Sequence, residues 1–192
     1  PTAALQIHQV DGSAYPDVRA VVSALGQDGA PVAGLTSTAF QPFDGETPIG
    51  LASVAPASDP DQRLGVAIVI DVSANMQGAP LDIAKLAAIE FVRSLKPADE
   101  AAVFAFNDAV TSVVPFTLDR DELANGIAGL SAGGGARLFE AATAGMYAAG
   151  ASVPDRKAVV LLTASRNTVP GITSAQPLEV ARVARTPIFS VA

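Results

Sequence analysis

Hydrophobic residues follow two different rhythms along this chain, and the change falls near residue 64. Beyond it, Val66-Ala67-Ile68-Val69-Ile70 is an unbroken apolar run that stops at Asp71. Runs of that kind mark strands of a parallel sheet, where both faces are covered and neither can be polar. Residues 81–95 then place Ala84, Ala88, Phe91 or Val92, and Leu95 at the spacing of one helix face, with Pro97 just past the end as a stop. Residues 101–106 are predicted as a second buried strand. Asn107-Asp108 leaves room only for a tight turn, so 110–116 is expected to lie antiparallel beside that strand. Helices are predicted over 119–130, whose acidic opening suits a helix N-terminus, and over 138–151, with Gly133-Gly134-Gly135 as a loop between them. Residues 158–163 are another buried run, 177–184 a short helix and 188–191 a last strand. Strands alternating with helices predict an α/β fold, a doubly wound and mainly parallel sheet covered on both faces, over residues 64–192.

The first 55 residues carry no helical period. Leu5, Ile7 and Val10 lie in an extended segment, and Val18, Ala20 and Val22 alternate as in a half-buried strand. Asp28-Gly29 is a hairpin-turn signal, because both central positions of such turns favour positive φ. Further short strands are expected around 38–42 and 49–54, each bounded by Gly or Pro. Residues 1–55 are therefore predicted as a small all-β unit. Residues 56–63, rich in Pro, Ser and Asp, are predicted as a linker.

Composition narrows the classes of function. Hydrophobic residues make up 49% of the 192, enough to bury a core and to set disorder aside. A formal charge of −7, with Arg156-Lys157 as the longest basic cluster, argues against a nucleic acid or an anionic membrane as partner. The absence of cysteine removes a disulfide framework and a thiolate zinc site, without fixing the redox compartment. No apolar run approaches the roughly 20 residues that span a bilayer. A start at Pro1, without initiator Met or signal peptide, is expected of a processed fragment. The alanine-rich, lysine-poor composition points to a bacterial source.

Ligands of such sheets bind at the carboxyl ends of the strands. The residues there are Asp71-Val72-Ser73-Ala74-Asn75, the loop Gly133-Gly134-Gly135-Ala136, and Thr163-Ala164-Ser165. The glycine loop before a helix can offer N–H groups to a phosphate, which makes a nucleotide-using enzyme one alternative. No Lys-Ser/Thr pair follows it, however, and a flexible connector is the favoured reading. His8 is the only histidine and falls in the β unit, where a surface or strand-packing role is expected. No Ser-His-Asp set, metalloprotease helix or close carboxylate pair is evident, so no catalytic residue and no cofactor is predicted.

Four segments resemble one family in order and spacing. Ile68-Val69-Ile70-Asp71-Val72-Ser73-Ala74-Asn75-Met76 resembles the Asp-x-Ser-x-Ser segment of von Willebrand factor type A domains. Leu95-Lys96-Pro97-Ala98-Asp99 with Val103-Phe104-Ala105-Phe106-Asn107-Asp108 resembles that family's second strand and its lead-in. Gly133-Gly134-Gly135-Ala136-Arg137-Leu138-Phe139-Glu140-Ala141 resembles its Gly-Gly-Thr-x-Leu-Tyr-Asp-Ala loop. Arg156-Lys157-Ala158-Val159-Val160-Leu161-Leu162-Thr163 resembles the strand that ends in Thr-Asp-Gly.

The resemblance implies three loops that hold a divalent cation, usually magnesium, through hard oxygen donors. Asp71 and Ser73 keep the implied residues. Asn75 stands for the second Ser, Ala136 for the Thr and Ala164 for the second Asp. Alanine has no side-chain oxygen, and the lost Asp removes a negative charge. Asp108, or Ser165 beside the changed position, is left as a possible substitute donor. The resemblance thus implies a degenerate metal site in a non-enzymatic protein-binding, adhesion or scaffold module, extracellular or at the cell surface. A weakly magnesium-dependent ligand site and a purely structural support role remain as alternatives. Ser73 to Gln77, Ala136-Arg137 and Ala164 to Asn167, with Ser165 among them, form the candidate contact area. The partner is expected to be another protein or the remainder of a longer chain.

A second resemblance links Asp28-Gly29-Ala30-Pro31-Val32-Ala33-Gly34-Leu35-Thr36 to part of an immunoglobulin-like sandwich in bacterial surface proteins, with its other strands elsewhere in the chain. Members of the first family usually continue past the strand equivalent to 188–191. The α/β domain is therefore expected to be incomplete at its C-terminal end, with an exposed sheet edge open to an oligomer.

Overall fold

Near the amino terminus, alternation of apolar residues builds a long hairpin. β1 (Ala4–Ala14) and β2 (Asp17–Leu25) pair antiparallel about a turn at Tyr15-Pro16, a cis peptide. The computed structural model describes residues 4–51, 53–56, 63–154, 156–184 and 186–191. Ala24 lies opposite Leu5, and Val22 opposite Ile7; a bulge at His8 inserts one residue, after which Val10 lies opposite Ala20. Without that extra residue the period-two alternation would send Val10 to the other face. The bulge therefore keeps these six apolar residues on one side of the hairpin. His8 itself reaches across to Ser23, Nε2 to Oγ 2.7 Å.

Asp28-Gly29 makes the predicted turn. Gly29 has φ 76°, Asp28 Oδ1 accepts the Ala30 N–H at 3.0 Å, and Pro31 comes back opposite Leu25. β3 (Phe43–Asp44) and β4 (Thr47–Pro48) form a two-residue ladder. The other two expected strands are not there. A 3-10 turn occupies Ser37–Ala39, and the described residues of 49–54 carry no strand. The Pro42 carbonyl accepts the Ile49 N–H at 3.0 Å, but proline has no N–H to return, so the ladder cannot lengthen there. Residues 57–62 of the predicted linker lie outside the described residues. Pro1–Gln62 form one compact unit and Arg63–Ala192 a second. None of the described side chains of the first unit is buried.

The second unit is an α/β, doubly wound sheet. Its strands are β5 (Leu64–Asp71), β6 (Glu100–Phe106), β7 (Val110–Thr117), β8 (Arg156–Leu162) and β9 (Ile188–Val191), in the order β7-β6-β5-β8-β9. All neighbours are parallel except β6 and β7, which the tight turn at Asn107-Asp108 forces to be antiparallel. Among the described residues four helices cover the sheet: α1 (Ala79–Ser94), α2 (Arg120–Ala128), α3 (Leu138–Ala151) and α4 (Ala175–Ala184).

The continuous apolar run of β5 feeds two cores. Val66, Ile68 and Ile70 pack with Leu81, Ala84, Ala88 and Val92 of α1 and with Leu123 and Ile127 of α2. Ala67 and Val69 pack on the other face with Ala141 and Met146 of α3, and Val180 and Ala181 of α4 join that cluster. The lengths of run and helix seen in sequence thus correspond to one strand covered on both sides. Asp119 caps α2, its carboxylate accepting the N–H groups of Asp121 and Glu122 at 2.9 and 3.0 Å. Asp119→Ala is expected to cost about 1 kcal/mol in a urea titration, because two helix-terminal donors lose their acceptor. An unchanged midpoint would mean that water serves them equally well.

This topology also locates the site. From β5 the chain moves to β6 on one side and later to β8 on the other. The connections leaving the strands therefore diverge above Asp71, and crevices of open α/β sheets form at that switch.

Candidate functional site at the strand ends

Asp71 closes β5 and is fully buried. Its Oδ1 accepts the Ser73 N–H at 2.8 Å, and its Oδ2 accepts the Thr163 hydroxyl at 2.7 Å. Thr163 Oγ1 in turn accepts the Ser165 N–H at 3.0 Å, and Ser165 Oγ lies 3.0 Å from Ser73 Oγ. Four residues from two connections thus form a closed circuit around one buried carboxylate. A buried charge is costly unless hydrogen-bonded, and this circuit supplies the bonds.

The glycine loop is laced to the same segment. Ala74 N–H donates to the Gly134 carbonyl at 2.9 Å, Gly133 N–H to the Val72 carbonyl at 2.8 Å, and Val72 N–H to the Phe106 carbonyl at 2.9 Å. Gly134 has φ 80°, which a side chain would resist, and a Cβ there would strike the Asp108 carboxylate. Asp108 Oδ1 accepts the Gly135 N–H at 2.9 Å. The loop is therefore a fastened strap on the strand ends, not the flexible connector expected from its composition.

The remaining predicted residues divide by exposure. Ser73 and Ala136 are buried with Asp71, so none of the three can touch a partner directly. Ala136 donates its N–H to Thr168 Oγ1 at 2.8 Å, and its carbonyl accepts the Thr168 N–H at 2.9 Å. Asn75, in a 3-10 turn at Ala74–Met76, and Ala164 are exposed at the rim, and Ser165 is half-buried. Arg137 forms an ion pair with Glu140 at 3.1 Å. Asp108 is engaged with the glycine loop rather than with Asp71, and no bond links the two.

Thr168 and Glu140 were not among the residues singled out from sequence, and Thr163 was placed at the strand end without a role of its own. Thr163 had a usable signal, a hydroxyl at the end of a buried strand and two residues before Ser165. Thr168 had none, since its partner lies 32 residues away in sequence; Glu140 had only its i,i+3 spacing to Arg137, and its bond to Ile172 spans 32 residues as well.

The sequence model of the von Willebrand factor type A domain matches residues 66–166, from β5 through the loop that holds Ser165. Uncharacterized protein sll0103 of Synechocystis sp. is 32% identical over 122 residues, 61% of this chain. This chain spans 29% of that protein's length. The vWF domain of the type V pili tip protein Mfa5 from Porphyromonas gingivalis has a TM-score of 0.51 at 21% identity, over 59% of this chain and 43% of that one. The conserved hypothetical protein BatB from Bacteroides thetaiotaomicron has a TM-score of 0.55 at 19% identity, over 66% of this chain and 65% of that one. At these identities the structural likeness is one of fold.

Proposed function

The chain belongs to the von Willebrand factor type A domain family, and from that premise we propose that it is a non-enzymatic protein-binding or adhesion-scaffold module working without a resident metal ion. The carrying observation is the closed circuit of Asp71, Ser73, Thr163 and Ser165. A magnesium ion demands about six hard oxygens in near-octahedral array and gives up its water reluctantly. Asp71 is the single carboxylate of this circuit, and the Thr163 hydroxyl directs its proton at Oδ2, against any approaching cation. Ala136 and Ala164 bring methyl groups to positions where the family has a hydroxyl and a carboxylate. Among the described residues no three His, Cys, Asp or Glu side chains converge as a group that could hold a metal ion. The donor set does not fit a resident dication.

The contact surface on this reading is the rim around the circuit: Asn75, Gln77, Ala164 and Arg166, all exposed. Its partner is another protein or a further part of a longer chain. A location at the cell surface is supported by the likeness to Mfa5, a pili tip protein. Among the described residues no helix is long and apolar enough to cross a membrane. The amino-terminal hairpin is read as part of an immunoglobulin-like sandwich. The face carrying Leu5, Ile7, Val10 and Val22 supports this, because a two-stranded ladder is marginal by itself and needs further strands over such a face.

Melting curves followed by far-UV circular dichroism test the metal half of the proposal. The melting temperature is expected to stay constant as magnesium chloride is raised into the millimolar range. A bound ion would stabilise by about 2.7 kcal/mol at a hundredfold excess over its dissociation constant. A saturable rise that disappears in Asp71→Asn would replace this reading with a magnesium-dependent one. Affinity capture tests the other half. A bound protein lost on Asn75→Arg or Ala164→Arg supports the rim as the contact surface. One indifferent to both would leave the α/β unit only a supporting role.

A further inference from the structure

We infer that the Arg137 guanidinium is the cation that organises the strand-end loops, a positioning residue that fixes three separate connections in one arrangement. The inference rests on the metal-independent reading above and names the group that takes over the ordering role. Nε of Arg137 donates to the carbonyl of Asp108, in the turn between β6 and β7. Nη1 donates to Glu140 Oε1 at 3.1 Å, within α3, and to the Pro170 carbonyl at 3.3 Å, in the connection between β8 and α4. The Arg137 main chain adds a fourth tie, its N–H donating to the Asn107 carbonyl at 2.9 Å. One side chain therefore reaches all the loops that surround the Asp71 circuit, apart from the one carrying Ser73.

The pair is built into its surroundings. Arg137 and Glu140 side chains retain only 33% and 20% of their exposure, so the attraction between them is poorly screened. Glu140 Oε1 also accepts the Ile172 N–H at 3.3 Å, and Glu140 Oε2 is buried without a hydrogen-bond partner. A buried carboxylate in that state depends on a neighbouring positive charge to remain in place. Gly171 passes so close that a Cβ would collide with Glu140 Oε1. The segment 166–172 is thus shaped around the carboxylate that Arg137 holds. Arginine suits the task because its planar fork donates in several fixed directions at once. A lysine ammonium is a single point of charge and lacks the two separate donor nitrogens with which Arg137 bonds Asp108 and Pro170. Ser165 Oγ closes the circuit from the same connection that Arg137 fastens at Pro170, so the clamp keeps the contact rim in register.

Hydrogen–deuterium exchange of the full chain tests the clamp, in wild type, Arg137→Met, Arg137→Lys and Glu140→Gln. Loss of charge-assisted bonds predicts about tenfold faster exchange in Arg137→Met at 107–109, 133–137 and 166–172. Peptides at the opposite end of the sheet, around Leu64 and Glu100, should stay at wild-type rates. Arg137→Lys retains charge and stem, and so the fold, yet should still speed exchange at 107–109 or 166–172. Wild-type exchange in both Arg137 variants, or acceleration spread evenly over the whole unit, would overturn the inference. Magnesium chloride is the separate arm. If it slows loop exchange in wild type, the metal-independent reading fails; the Arg137 comparison, made without magnesium, still stands or falls by itself.

Discussion

Phe106→Ala is expected to lower the unfolding free energy of the α/β unit by about 3–5 kcal/mol. Phe106 ends β6 and heads the fully buried side chains of the unit by volume. Its neighbours in the core decide where in that range the loss falls. Four alanines, Ala67, Ala136, Ala141 and Ala149, share its cluster, and alanines have no rotamers with which to close a cavity. Met146 and Leu161 are the members of that cluster flexible enough to fill part of it. The cost should therefore fall in the upper half of the range, while Phe106→Leu should cost less than half as much. The loss reaches the site as well. The Phe106 carbonyl receives the Val72 N–H, and buried Ala136 rests in the same cluster, so the glycine loop loses its floor. With no tryptophan in the chain, the measurement is urea unfolding followed by far-UV circular dichroism. A change under about 1 kcal/mol would show that the core collapses around the gap, against the packing argument.

How much of this could be seen beforehand differs between the two units for a physical reason. In the α/β unit the elements are long and covered, so the hydrophobic period records them. α3 and β9 run over the predicted residues, and β5 exceeds its predicted run by Leu64, Gly65 and the terminal Asp71. The predicted opening of α2 at residue 119 is its cap rather than its first turn. The 3-10 turn at Ala74–Met76 went unseen because three residues carry no period. In the amino-terminal unit none of the described side chains is buried, and pattern loses its force. The second half of β1, Asp11-Gly12-Ser13-Ala14, looks like a loop, and the turn at Tyr15-Pro16 carries none of the Asn-Gly chemistry that marks a hairpin. The bulge at His8 then shifts the alternation midway through the strand.

The candidate site was legible as a place and only partly as a mechanism. Strand order and the stop at Asp71 locate it, because a parallel sheet has one end where all loops can meet. The resemblance implies which positions of a metal site differ in this chain. The hydrogen-bond partners found around those positions are tertiary. Thr163 bonds to a residue 92 positions earlier, and Arg137 links a turn 29 residues before it to a loop 33 residues after it. No local spacing encodes such partners.

The second large effect is expected at Gly145, where two rules of thumb oppose each other. Glycine inside a helix is unfavourable by about 1 kcal/mol relative to alanine, so propensity alone predicts that Gly145→Ala stabilises α3. A Cβ at that position, however, would lie 2.7 Å from Val69 Cγ2 and 3.2 Å from Val159 Cγ1. Both valines are fully buried β-branched side chains on adjacent strands, with no free rotamer to retreat into. The helix must therefore lift from the sheet, and overpacking of this kind costs about 1–3 kcal/mol. Sterics should win, by a small margin for Gly145→Ala and by about 3 kcal/mol for Gly145→Leu. Gly150 provides the control within the same helix. Nothing lies within 4 Å of a Cβ built there, so Gly150→Ala should stabilise, by up to about 1 kcal/mol. Opposite signs for two identical substitutions five residues apart, read as shifts in the urea midpoint, are the expected outcome. Equal signs would mean that α3 does not seat on β5 and β8 through its glycine, and the close helix–sheet contact behind the site would have to be redrawn.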